Sequence, residues 1–177
     1  GFLFVSDRAL LNGLTPLYVD MRGADWIEAD RYQVAGTARR FENWEFAWAL
    51  VLGTGAAARY ALQIGVPAIC QRVRYLAEYL REKLRPVEGV SVLDRGTELG
   101  AIVSASIDGQ PATEIVQQLR QRHIHSTAQI RIYAVLDFDD KRVASTIRLS
   151  PHYFNTENEL DQAVDALTET LSQTRRE

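Results

Sequence analysis

Lysine is nearly missing from this sequence. Of its 20 basic residues, 18 are arginine, and only Lys83 and Lys141 are lysine. Chemistry that needs a primary amine on this chain has only those two candidates. Cysteine is scarcer still. Cys70 stands alone, which excludes an internal disulfide and a disulfide-stapled scaffold. That usage fits a reducing cytosol, so a cytoplasmic location is expected. Long apolar runs are missing too. The longest, Phe46–Leu52, falls far short of the roughly 20 residues of a membrane-spanning helix, and no membrane contact is expected. Neither charge sign dominates. The 20 basic and 23 acidic residues leave a net charge of −3, which gives no electrostatic footprint for nucleic acid. The remainder is ordinary for a globular chain: 46% hydrophobic and 24% charged residues exclude disorder and collagen-like repeats. A length of 177 residues suits one domain, or a small domain plus part of another.

Gly1–Val5 is a short apolar run closed by Ser6-Asp7. It reads as a buried strand followed by a helix N-cap, with a short helix through Ala9–Leu11 that stops at Gly13. The run has neither the charged start nor the cleavage site of a signal peptide, and reads as the middle of a longer protein. Residues 15–40 show no sustained period, only scattered aromatics (Tyr18, Trp26, Tyr32), and read as a long irregular connection. Residues 45–64 are apolar nearly all round, which predicts a deeply buried helix. Gly53 and Gly55 in its middle each cost about 1 kcal/mol relative to alanine, which close approach of another backbone would offset.

Pro67 opens a second helix, with Ile69, Val73, Leu76, Leu80 and Leu84 on one stripe. Arg72, Arg74, Glu78, Arg81 and Glu82 are placed on its polar side, and Pro86 ends it. Gly89–Leu93 and Ala101–Ile107 read as strands, Asp108-Gly109 as a turn, and Pro111 as the start of a helix that buries Ile115, Val116 and Leu119. Residues 124–133 hold one or two strands, and Asp137–Arg142 reads as a charged loop. Ala144–Ser150 is a strand with Ile147 and Leu149 on one face and Thr146, Arg148 and Ser150 on the other. Thr156-Glu-Asn-Glu159 is a capping box; Leu160, Val164, Leu167 and Leu171 follow as one apolar stripe. The element order describes an α+β fold, with helices packed on a small, mostly antiparallel sheet.

Several constellations carry chemistry on paper. Gly53-Thr-Gly55-Ala-Ala-Ala58 matches a dinucleotide fingerprint, but the next apolar stretch has a helical period where a parallel strand is required, and small residues in a buried helix are the better reading. His123, His125 and His152 are enough imidazoles for a zinc ion, yet no acidic residue neighbours them in sequence. Cys70 lies in the second helix and reads as a buried, inert thiol. Arg148 is poised between two readings: a surface charge if its strand face meets solvent, a bidentate carboxylate grip if that face lines a cleft.

Three of these pieces, in order along the whole chain, resemble the C-terminal part of class V aminotransferase-type enzymes, the fold-type I, pyridoxal-phosphate-dependent group that includes cysteine desulfurases, selenocysteine lyases and isopenicillin N epimerase-like enzymes. Gly1–Asp7 resembles the strand after the cofactor lysine. Arg40-Phe-Glu42 resembles an R-F-E element before a long helix. Arg148-Leu-Ser150 with Tyr153-Phe-Asn-Thr156 resembles the R-x-S…Y-N-T element near the C-terminus. The resemblance implies that residues 1–42 are the tail of a large cofactor-binding domain, 43–64 a long connecting helix and 65–177 the small C-terminal domain. It implies pyridoxal 5′-phosphate as cofactor, an α-amino acid as substrate, Arg148 as the group that binds the substrate carboxylate, and a homodimer with shared active sites. The loop after Phe41 would approach the partner subunit's cofactor, with Trp44 and Glu45 where the family carries a phosphate-contacting G-T pair. No lysine here matches the cofactor lysine, so no catalytic residue is assigned. Desulfurases of this group carry a reactive cysteine before the Arg148 strand; His125–Lys141 contains none. That disfavours a desulfurase using such a thiol and leaves C–S lyase, epimerase and transaminase chemistry. Readings from other classes are a non-catalytic α+β binding or dimerisation module and a nicotinamide-binding protein built on Gly53–Ala58.

Overall fold

A computed structural model describes residues 1–174. The chain forms two compact units, Gly1–Gln63 and the residues from Ile64 onward.

The second unit holds the hydrophobic core. Its helices are α3 (Val66–Leu84), α4 (Ala112–Gln121), α5 (Val135–Lys141) and α6 (Glu157–Thr174); its strands are β3 (Val90–Val92), β4 (Val103–Ile107), β5 (Thr127–Ile130) and β6 (Ser145–Leu149). The strands form one antiparallel sheet in the order β3-β4-β6-β5. Period-2 alternation decides its faces. Val103, Ala105, Ile107, Ile147 and Leu149 are buried in one cluster with Leu76, Leu80 and Leu84 of α3, Ile115 and Leu119 of α4, and Leu160, Leu167 and Leu171 of α6. The expected α+β architecture, with helices on a small antiparallel sheet, is what forms. α3 starts with proline in its first turn, as the sequence predicts. The capping box at the start of α6 is closed both ways: Glu159 N–H donates to Thr156 Oγ1 at 3.3 Å and Thr156 N–H to Glu159 Oε2 at 2.7 Å.

Two expectations for this unit are corrected. Arg81 is not on a polar face but only 2% exposed. It is tolerated because the 94–102 loop folds over it with partners. Arg81 Nε donates to Asp94 Oδ2 at 2.8 Å, and Nη2 to the carbonyls of Gly100 (2.7 Å) and Ile102 (3.1 Å). Asp94 Oδ1 in turn accepts from Ser104 N–H of β4. The charged stretch Asp137–Arg142 is not a loop but most of α5, whose Phe138 is buried apart from the main cluster. Lys141–Asp137 at i,i+4 stabilises it, and Arg142 ends it in the left-handed conformation at φ 57°.

The first unit contains α1 (Asp7–Leu11), a hairpin of β1 (Ala24–Glu28) and β2 (Arg31–Val34), a 3-10 turn at Ala38–Phe41 and α2 (Trp48–Ile64). Its ties are polar. Arg40 donates to the carbonyls of Ala35 and Leu14, both at 2.8 Å. Gly23 is buried against the Arg40 backbone, where a Cβ would stand 2.7 Å from the Arg40 carbonyl oxygen. Ser6 caps α1 as expected. Three expectations fail. Residues 1–5 form no strand and no strand lies beside them; Phe2 and Phe4 are exposed. The supposed irregular connection contains the β1–β2 hairpin. α2 is a helix, but none of its residues is buried. The Gly53 position has open space around it, and a Cβ on Gly55 would meet only the Arg59 side chain, so no second backbone approaches this helix here. Nor does Gly53–Ala58 follow a strand, because it lies inside α2, which removes the dinucleotide-fold reading.

The Arg81–Asp94 pair yields a stability prediction. Asp94→Ala removes the closer of the two carboxylates on the buried Arg81 guanidinium, the other being Glu78 at 3.5 Å, and one-sided removal of a buried pair costs about 3–5 kcal/mol. Urea unfolding is expected to show a loss of that size, against less than about 1 kcal/mol for Arg74→Ala, whose pair with Glu98 is exposed.

Candidate substrate-carboxylate site

Arg148 occupies the fourth position of β6, a strand flanked on both sides by antiparallel neighbours. The register sets Ser104 of β4 and Thr127 of β5 directly beside it. Because Ile147 and Leu149 face the helices, Ser104, Arg148 and Thr127 form a polar row on the opposite face, with Thr146 and its partner Gln129 in the next row.

Among the described residues, three buried side-chain polar atoms have no hydrogen-bond partner: Ser126 Oγ, Thr146 Oγ1 and Arg148 Nε. All three lie on β5–β6 or one residue outside it. Buried polar groups are nearly always satisfied, so a cluster of exceptions calls for a cause. Arg148 itself is half-buried, and its guanidinium forms no ion pair with the described residues. A cation desolvated without a counter-charge is destabilising on its own and suited to an anion that arrives from outside.

The segment after Arg148 is fixed tightly. His152 N–H donates to Asn155 Oδ1, and the capping box follows. Arg72 of α3 clamps this corner: its Nη1 and Nη2 donate to the Glu157 carboxylate at 2.6 and 2.9 Å, and Nη2 also to Asn155 O at 3.0 Å. Those hydrogen bonds hold the Glu157 carboxyl down at about 2, against a usual 4.5.

The other candidates fall elsewhere. Trp44 and Glu45 belong to the first unit and are exposed; Trp44 N–H donates to Asp20 Oδ1 at 2.9 Å. Cys70 is exposed, not buried. No group of three metal-ligating side chains forms among the described residues, so the histidine zinc site does not assemble; His152 instead stacks with Tyr153 and Phe154. Both lysines are committed to carboxylates. Lys83 Nζ lies 2.9 Å from Asp161 Oδ1 and above the Tyr79 ring, contacts that raise its affinity for its proton. Lys141 Nζ lies 2.9 Å from Asp137 Oδ2. A lysine that carries a carbonyl cofactor must give up its proton, which the contacts of Lys83 oppose. Sequence reasoning overlooked Thr146 as more than a face marker, and the Arg72–Glu157 clamp. Only the first had a signal, its i,i+2 spacing from Arg148.

A helix-backed antiparallel sheet that presents, among the described residues, an unpaired arginine on its far face defines a small α+β domain. The aminotransferase class-V family model matches residues 1–163, and the chain belongs to that family of pyridoxal-phosphate-dependent enzymes. Probable cysteine desulfurase 2 of Mycobacterium leprae (strain TN) is 27% identical over 167 residues, which cover 93% of this chain and 40% of that protein. Probable cysteine desulfurase 1 of the same organism is 25% identical over 146 residues, 80% of this chain and 23% of that one. The chain therefore spans less than half the length of these relatives. The crystal structure of the cysteine desulfurase CsdA from Escherichia coli shares the fold with a TM-score of 0.78 at 18% identity, over 95% of this chain and 41% of that one. The cystine C–S lyase C-DES, in complex with its reaction product cysteine persulfide, aligns with a TM-score of 0.70 at 22% identity, over 90% of this chain and 39% of that one. Desulfurases thus stand among the relatives, and the comparisons do not support setting that activity aside.

The clamp predicts an acid response. Glu157 has a depressed proton affinity in the fold, so its contribution is present above about pH 4.5 and is lost as pH falls toward about 2. Thermal melts across that window are expected to show a steeper fall for the wild-type chain than for Glu157→Gln. Parallel slopes would contradict the assignment.

Proposed function

We propose that the whole protein is a pyridoxal-phosphate-dependent enzyme that acts on an α-amino acid, with C–S bond cleavage as its reaction class. The observation that carries this reading is the unpaired Arg148 guanidinium on the central strand. Its place in the R-x-S…Y-N-T resemblance and the C–S chemistry of the named relatives support it. The chain's residues fit the substrate side of such a site. They do not fit the cofactor's anchor, since Lys83 and Lys141 are both held as ion pairs.

When bound, pyridoxal phosphate supplies an electron sink for charge that develops at the substrate Cα. Arg148 donates from its guanidinium to the two oxygens of the substrate carboxylate. The grip fixes the carboxylate in a plane, and so selects which bond at Cα is presented for cleavage. Because β6 is hydrogen-bonded on both edges, the Arg148 backbone does not give way when the anion pulls on it. Residues 125–141 offer no thiol, so sulfur that leaves the substrate departs on a small molecule or on an acceptor outside that stretch.

We also propose that the whole protein is a cytoplasmic homodimer. The exposed apolar residues of α2, among them Leu50 (72%), Leu52 (73%) and Leu62 (69%), support burial against further protein surface. Sedimentation equilibrium of the whole protein is expected to give twice the monomer mass; a monomer would reject this.

The carboxylate assignment is tested with L-cysteine against cysteamine, which lacks the carboxylate. Loss of charge-assisted hydrogen bonds of about 1.5–3 kcal/mol each predicts that Arg148→Ala lowers kcat/KM for L-cysteine by about 100-fold or more. Cysteamine binding is expected to change little. Equal effects on both compounds would remove Arg148 from the carboxylate site.

A further inference from the structure

Arg148 Nε is buried and has no partner, and so is Thr146 Oγ1. The two residues share one face of β6, two positions and so about 7 Å apart along the strand. Thr146 is only 3% exposed, so its hydroxyl is out of reach of any ligand. The same holds for Nε. An anion that meets this guanidinium therefore approaches end-on, at the two terminal amino groups, because the side-on mode requires Nε. End-on engagement leaves Nε–H in need of an internal acceptor. Thr146 Oγ1 is a buried acceptor without a partner on the same face. Ser126 Oγ, the remaining unpaired atom, precedes Thr127, the residue level with Arg148; alternation points Ser126 away from that face.

We propose that Thr146 is a positioning residue for Arg148: its hydroxyl accepts Nε–H when a carboxylate occupies the terminal amino groups, locking the guanidinium plane end-on. This deepens the carboxylate assignment and rests on it. The lock makes the site selective for planar, two-oxygen anions. It also explains why a threonine, whose hydroxyl is costly to bury unpaired, stands at a buried position of this face where valine would fit as well.

The test uses the whole protein and 3-mercaptopropionate, a carboxylate with no amino group, so that binding by calorimetry is read without turnover. Thr146→Val is expected to weaken its binding roughly tenfold, the size of one lost hydrogen bond to a charged group. Cysteamine binding should stay unchanged, and Thr146→Ser, which keeps the hydroxyl, should restore the wild-type value. Wild-type affinity in Thr146→Val, or equal loss for both probes, overturns the proposal. If Thr146→Val does not fold, the Arg148 Nε–H proton is followed by nitrogen-edited NMR in the wild-type protein, assigned by its loss in Arg148→Lys. Protection from solvent exchange on saturation with 3-mercaptopropionate supports the lock, and unaltered exchange overturns it. Arg148→Ala run alongside separates the two ideas. Unchanged binding of 3-mercaptopropionate there removes the carboxylate assignment itself, whereas a loss there with none in Thr146→Val removes only the lock.

Discussion

A desolvated positive charge without a counter-charge is the constraint from which the rest of this domain is read. Part-burial of a guanidinium costs free energy that only a partner recovers. The sheet accepts that cost because β6 is hydrogen-bonded to β4 and to β5, and its other face is sealed by α3, α4 and α6. The backbone under Arg148 is thus held on both edges and from behind. A site meant to hold a reacting molecule needs this arrangement, since a loosely held charge would satisfy itself with the nearest carboxylate.

Where local physics decides the outcome, the residues announced it. The apolar stripe of α3, its proline start, the capping box of α6 and the two-face alternation of β6 were all legible, because each rests on a period or a cap within one segment. The elements that were not legible depend on something distant. Arg81 looks polar until Asp94 and two carbonyls of the 94–102 loop close over it. The β1–β2 hairpin turns through Ala29-Asp30 without an Asn-Gly or Asp-Gly signal. Its strands are mostly exposed, so no buried face imposes an apolar alternation. Asp137–Arg142 carries enough charge to look like a loop, and only the i,i+4 pair within it favours a helix.

The first unit shows the complementary failure. Residues 1–5 and α2 have the composition of buried elements without the burial. In the structure they are apolar and exposed, Phe2 at 89% and Leu52 at 73%. Hydrophobicity states a demand for a partner surface and does not say which chain segment supplies it. The chain covers only 23–40% of the length of the two Mycobacterium leprae relatives, and the second unit keeps its own core cluster without any residue of the first. Arg148, the proposed carboxylate ligand, belongs to the unit that has this core; Trp44 and Glu45 belong to the other.

The near-exclusive use of arginine gives the strongest reason to regard Arg148 as a ligand site. Arginine's fork makes several directed contacts at once, whereas lysine is a single point charge. Four arginines use the fork that way. Arg72 holds both oxygens of Glu157 and a carbonyl; Arg81 holds Asp94 and two carbonyls; Arg40 ties two separate carbonyls; Arg131 takes Asp139 with two nitrogens. The two lysines each take one carboxylate oxygen. The half-buried Arg40 and Arg72 and the buried Arg81 thus recruit multidentate partners from the chain. Arg148 has the same fork and a buried Nε, yet recruits none among the described residues. Sequence composition does not starve it of acceptors, with 23 acidic residues in the chain, but its row across the sheet offers only Ser104 and Thr127. A carboxylate in either of those positions would neutralise Arg148 and block the site. Hydroxyls leave its charge available, which is what the proposed carboxylate role requires.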